Sequence, residues 1–379
     1  MANIKLDNPF PEYGYFGAEY FCDREKETEK LAEALLNGSN VTLMAPRRIG
    51  KTGLIHHTFQ RIKEKNNNVH CFYVDIFPAK TFDQMVRFMA NAIIGKLDSP
   101  SQSVKRKLNK FVSALRPTVS PDPVSGMPTF SFTVAPEDAR QTLQQVFEYL
   151  KESGQTCFLA IDEFQQVCQY TDLGVAAFIR SIIQFIPNVH IIFSGSQQHL
   201  LANMFMSPQH PFFNSSQIMS IHEIDEEKYR VFANGFFRKH SKEFSHDVFH
   251  YLYSSVDGQT WYVQKILNRL YRKPKIDLTE AEVRNAINEI ISEQEINYQV
   301  NYNLLTENQS RLLSAIASEG VVKAPTAQEF IRKYRLPAPS SVKLALTSLT
   351  EKEFLHCTPE GHYLVYDRFM GLWLKRLME

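Results

Sequence analysis

The chain has 379 residues, a formal net charge of +1 and 44% hydrophobic residues. That length holds two or three domains, and the near-neutral charge excludes a global electrostatic pull toward nucleic acid. Its five cysteines (Cys22, Cys71, Cys157, Cys168 and Cys357) form no CxxC pair, which argues against a zinc site and a disulfide framework. Residues 1–7 lack the apolar core of a secretion signal, and no run approaches the ~18 apolar residues of a membrane span. The expected setting is the cytoplasm, with no membrane partner.

The first predicted elements carry the strongest motif. A strand over 40–44 runs into Ala45-Pro46-Arg47-Arg48-Ile49-Gly50-Lys51-Thr52-Gly53, and a helix follows over 53–63. Strand, tight loop and helix make a phosphate cradle in which backbone N–H groups face the phosphates. Lys51 supplies a charge for the β- and γ-phosphates, and the Thr52 hydroxyl fills one Mg²⁺ position. The helix N-terminus adds partial positive charge. The usual first glycine is Ala45 here, which requires its φ to stay negative. Arg47 and Arg48 could meet phosphate, a neighbour or acids elsewhere. His56-His57 read as helix packing, since a metal site would need further ligands.

A second strand over 69–76 carries Asp75 at its end, either an accessory acid or a cap, and a helix is expected over 82–97. Prolines and serines gather over 98–136, which reads as an insertion with a short helix over 104–115 and a hairpin around Ser125-Gly126. Its tract Lys105-Arg106-Lys107 is most simply a solvated helix face. A helix over 139–151 feeds the apolar run 156–161, as expected of a parallel strand buried on both faces. This run ends in Asp162-Glu163, and two acids in that place are costly unless something there needs negative charge. In an ATPase the first, Asp162, holds Mg²⁺ and the second, Glu163, activates the attacking water. A strand over 189–193 runs into Ser194-Gly195-Ser196-Gln197. Ser196 is the first choice for sensing the γ-phosphate and Ser194 the second, against the alternative that they only turn the chain and cap a helix. A fifth strand is expected over 217–224. Strands alternating with helices imply a parallel α/β sheet, with ligand beyond the strands' carboxyl ends.

From 226 to 299 the spacing is helical throughout, the pattern of a small lid carrying Lys265 and Arg269. Helices over 307–318, 326–334 and 340–352 then precede a ribbon of 355–357 and 362–365 that turns at Pro359-Glu360-Gly361, a winged helix-turn-helix. The expected division is an ATPase domain (1–225), a lid (226–300) and a winged helix (301–379).

Tyr20-Phe21-Cys22-Asp23-Arg24-Glu25-Lys26-Glu27, the loop at 46–52, Ile161-Asp162-Glu163, Phe193-Ser194-Gly195-Ser196 and Tyr366-Asp367-Arg368-Phe369…Trp373-Leu374 together resemble the archaeal-type P-loop ATPases of the AAA+/STAND group, which also occur widely in bacteria. The resemblance spans essentially the whole chain. It implies an AAA+-like ATP-binding domain with ATP and Mg²⁺ as cofactors, a helical lid and a C-terminal winged helix. The chain departs from the family pattern twice. Phe212-Phe213-Asn214-Ser215-Ser216 stands where a Gly-Arg is usual, and Gly258-Gln259-Thr260 replaces Gly-x-Pro in the lid.

Three functions fit these residues: a nucleotide-driven switch with slow ATPase activity, an ATP-controlled DNA-binding regulator, and an ATP-binding module without hydrolysis. Between 306 and 364 seven basic residues face six acidic ones, a weak balance for gripping phosphates. A protein partner is therefore expected ahead of DNA, to which the winged helix would bind only weakly.

Overall fold

The computed structural model describes residues 5–94, 97, 116–121, 128–172, 174–273, 277–358 and 360–378. It divides into two compact units, 13–223 and 5–12 together with 224–379.

In the first unit the strands are β1 (Val41–Met44), β2 (Val69–Asp75), β5 (Thr156–Asp162), β6 (Val189–Gly195) and β7 (Gln217–Ser220). They form one sheet in the order β2-β5-β6-β1-β7, with every pairing parallel. Alternation along β5 explains its unbroken apolar run. Cys157, Leu159 and Ile161 enter one core, while Phe158 and Ala160 enter the core on the opposite face. Helices α1 (Glu25–Leu36) and α2 (Lys51–Lys65) cover the second face. The first is covered by α3 (Phe82–Ile93), α4 (Ala139–Glu152), α5 (Val175–Ile183) and α6 (Gln198–Met206).

The expected boundaries shift in physical ways. Helix α2 begins at Lys51, because left-handed Gly50 (φ 102°) caps it. Helix α3 ends at Ile93, where Ile94 turns to extended backbone, and β7 stops at Ser220. The expected hairpin is present as antiparallel β3 (Arg116–Pro121) and β4 (Pro128–Thr133). Its turn, the predicted 104–115 helix and the basic tract lie outside the described residues.

The second unit contains α7 (Glu226–Phe237), α8 (His246–Ser254), α9 (Thr260–Tyr271) and α10 (Glu280–Asn303). The winged-helix elements α11 (Glu307–Glu319), α12 (Gln328–Lys333), α13 (Pro339–Glu351), β8 (Leu355–Cys357) and β9 (Tyr363–Val365) follow, and α14 (Arg368–Met378) closes the chain. Val322 adds a third strand position to the wing by bridging Tyr363 in antiparallel fashion. The segments read as lid and winged helix fall in one unit because α10 serves both. Its Tyr298 and Tyr302 pack against Trp373 of α14, with ring centroids 5.8 and 5.9 Å apart. The N-terminal segment joins this unit too. Phe10 is fully buried, lies 5.6 Å from both Phe236 and Phe237 and 5.7 Å from Tyr271, and accepts at its carbonyl from Asn268 Nδ2. No helix among the described residues is long and apolar enough to cross a membrane.

Candidate nucleotide site

The parallel register brings the strand ends together. Met44 at the end of β1 lies opposite Gly195 of β6, and Asp162 of β5 lies opposite Asp75 of β2. The loop leaving β1 keeps Ala45 buried and out of the positive-φ region, as its methyl group demands. Arg48 takes the left-handed conformation instead (φ 68°), together with Gly50. A non-glycine residue held there is strained by the order of 1 kcal/mol or more, so the surrounding structure must fix it. Part of that support comes from Arg24, buried and itself left-handed (φ 73°), whose Nη2 donates to the Ile49 carbonyl over 3.1 Å. The N-terminal box is thus tied physically to the phosphate loop.

Lys51 is only 6% exposed, and its Nζ donates to the carbonyls of Ala45 and Pro46, both at 3.1 Å. Burial pushes its pKa down, opposed by the charges of Asp162 and Glu163. The sequence motif did not reveal this cost: an ammonium held nearly dry gains from any anion brought to it.

Asp162 is buried and fully engaged. Its Oδ2 accepts from the Thr52 hydroxyl over 3.1 Å and from Tyr73 over 2.6 Å, and its Oδ1 accepts from the Glu163 N–H over 3.0 Å. Hydroxyl and carboxylate side by side are oxygen donors, and Mg²⁺ needs only one or two from a protein because it keeps waters and takes phosphate oxygens. Thr52 and Asp162 therefore fit Mg²⁺. Tyr73 was not anticipated from sequence, since a tyrosine inside a strand reads as packing.

Glu163 adopts the left-handed conformation (φ 57°), which ends the strand and starts the 3-10 helix Phe164–Gln169. Its Oε2 accepts from Ser196 Oγ over 2.7 Å and from Gln165 Nε2, and Ser196 Oγ in turn accepts from Arg47 Nε over 3.2 Å. The structure brings Glu163, Ser196 and Arg47 together and leaves Ser194 apart, its Oγ buried without a partner. Arg47 also lies over the Phe77 ring at 5.3 Å. Asp75 caps the chain beyond β2 by accepting from the Phe77 N–H, and burial raises its pKa. His56 packs on Tyr73 and His57 on Phe21, with centroids 4.7 and 4.5 Å apart.

The family's usual arginine has no counterpart at 212–216. Phe212 is core there, 5.3, 5.3 and 5.1 Å from the rings of Phe164, Phe193 and Phe205. In the second unit, Arg269 is committed to Glu289 and Glu293. Gly258 is left-handed, and a Cβ there would lie 2.3 Å from the Tyr253 ring.

A parallel sheet with a lysine-bearing phosphate loop and, two strands away across β6, an acid-ended strand defines a P-loop NTPase fold. A family model described as an ATPase domain predominantly from Archaea matches residues 21–266, and a "probable winged helix domain" matches 296–376. The chain belongs to this archaeal-type ATPase family. Among solved structures it is similar to a Walker-type ATPase, PabY2304, of Pyrococcus abyssi (TM-score 0.66, 17% identity, covering 97% of this chain and 99% of that one). It is also similar to the ORC2 protein of Aeropyrum pernix, solved with ADPNP and ADP (0.58, 15%, 97% and 96%), and to the ORC1 protein of the same organism in complex with DNA (0.54, 14%, 98% and 96%). At these identities the likeness is one of fold. Comparison with curated proteins finds no match.

Proposed function

We propose that this protein binds Mg·ATP in the 45–53 loop, hydrolyses it slowly, and acts in the cytoplasm as a nucleotide-dependent switch. The lid (226–300) and winged helix (301–379) pass the nucleotide state to a protein partner. The observation carrying this reading is the pair of adjacent acids in different settings. Asp162 is bonded to Thr52, while Glu163 is held by Ser196 through one oxygen only.

In this reading the loop N–H groups and Lys51 bind the phosphates, and the anion removes the lysine's desolvation cost. Mg²⁺, held by Thr52 and Asp162, neutralises phosphate charge when bound. Glu163 orients the attacking water and accepts its proton, with Ser196 fixing the carboxylate. Arg47 is the arginine that replaces the missing one, since it already touches Ser196 while Arg269 is ion-paired elsewhere. ATP titration with and without Mg²⁺, followed by a turnover assay, tests the proposal: binding with Mg-dependent turnover supports it, binding alone reduces it to a binding module, and no binding ends it.

A DNA-reading winged helix is the second reading, favoured by the domain match and by the DNA complex of ORC1. Against it, α13 exposes Leu344 (73%) beside Lys343, an apolar side chain suited to a protein surface. DNA affinity should be weak and sequence-blind; a tight, specific complex at physiological salt would reverse the order of the two readings.

A further inference from the structure

Gln165 lies two residues past Glu163, in the 3-10 turn Phe164–Gln169, and is completely buried. Its Nε2 donates to Glu163 Oε2, while its Oε1 has no hydrogen-bond partner. The opposite amide orientation would set two acceptors against each other, so chemistry fixes the one observed. A buried acceptor left unpaired is unfavourable. Stability alone would favour an apolar side chain here, so the use of this amide lies at its donating end.

Gly195 supplies a second observation. A Cβ built on it would lie 2.0 Å from Gln165 Oε1 and 2.8 Å from Leu201 Cδ1. Gly195 does not have positive φ, so its backbone conformation would admit other residues. What excludes them first is the close approach of the glutamine amide, with the Leu201 methyl group the second obstacle.

We propose that Gln165 is a positioning residue for the Glu163 carboxylate, and that Gly195 is glycine to admit it. This rests on the reading of Glu163 as the group that orients water. Gln165 and Ser196 together occupy Oε2, which leaves Oε1 as the oxygen presented to water. The turn carries its own locking device, invisible in a motif of two acids.

The test uses the full chain with Gln165→Met, Gly195→Ala and both together. In Gln165→Met and Gly195→Ala, kcat falls about tenfold or more, the scale of a misplaced general base. KM and the Kd for a non-hydrolysable ATP analogue stay within about twofold, because no phosphate contact is lost. The double variant is no worse than either single, since both break one arrangement. A space-filling glutamine would instead lower Tm and leave kcat of the folded protein unchanged, and that result overturns the proposal. Should Gly195→Ala fail to fold, a measurement free of turnover decides. The Gln165 side-chain amide resonance, assigned by its loss in Gln165→Met, should shift and exchange faster with water in Glu163→Ala; indifference to Glu163 overturns the proposal. If the wild-type protein shows no turnover, the hydrolysis reading fails, and this resonance alone upholds or overturns the hold of Gln165 on the carboxylate.

Discussion

Tyr73 donates its hydroxyl hydrogen to Asp162 over 2.6 Å, on the same oxygen that accepts from Thr52. A phenol from β2 thus competes for the carboxylate assigned to Mg²⁺. Burial, followed by the charge of Asp162, raises the tyrosine's pKa, so it remains a donor. Tyr73→Phe should leave the fold intact and tighten the Mg²⁺ dependence of nucleotide binding by about twofold to tenfold, within the ~1 kcal/mol scale of one hydrogen bond. A magnesium titration at fixed ATP measures it; weaker dependence would show that the phenol helps to hold the metal ligand in place.

Lys51→Ala should abolish ATP affinity without unfolding the chain, because it removes a dry charge and no apolar packing. Isothermal titration checks the first point and thermal melting the second. The pH behaviour has a definite sign. With its pKa depressed in the folded state, Lys51 loses its proton at lower pH than an unfolded lysine, so ATP affinity falls as pH rises toward ~10.4. Stability without ATP shifts the other way through this group, increasing over that window because the unfolded chain holds more protons. Affinity independent of pH across that range would show that the lysine is not the phosphate partner.

Glu163→Gln should keep Mg·ATP binding and cut turnover by roughly 10² or more. Equal turnover in variant and wild type would reduce Glu163 to the residue that turns the strand into the 3-10 helix.

Basal turnover should lie well below the ~10 s⁻¹ typical of enzymes and stay constant per protomer across a hundredfold range of protein concentration. Arg47→Ala should lower it further by roughly 10³ or more, the scale of an arginine acting on the transferring phosphoryl group, while Arg269→Ala should not. A steep rise with concentration would show instead that a second copy completes the site.

Much of the sheet was legible because three of its five strands are apolar runs ending in chemistry: Met44 before the loop, Ile161 before two acids, Phe193 before small polar residues. Ala45 was legible as well, since its methyl group disfavours the positive φ that it indeed avoids. The partners of those residues were not. Tyr73 and Gln165 are ordinary strand and turn residues until register and a left-handed Glu163 aim them, and Arg48 gives no sign in sequence that it will take a strained conformation. Arg24 shows its use only once the fold sets it beside Ile49. Terminal helix α14 carries Phe369, Met370, Trp373 and Leu374 at helical spacing, buried in the structure, and read only as a closing segment because its partners Tyr298 and Tyr302 lie far back in the chain.

The docking of Phe10 among Phe236, Phe237 and Tyr271 imposes an order of events during synthesis. Asn268 and Phe10, which close that contact, are 258 residues apart. At ~5–20 residues per second, the N-terminal segment waits tens of seconds after emerging before its pocket exists. The parallel sheet is complete once β7 has been made and need not wait. The aromatic segment therefore waits without its pocket, and the helical unit closes last, by capturing a segment made before the sheet.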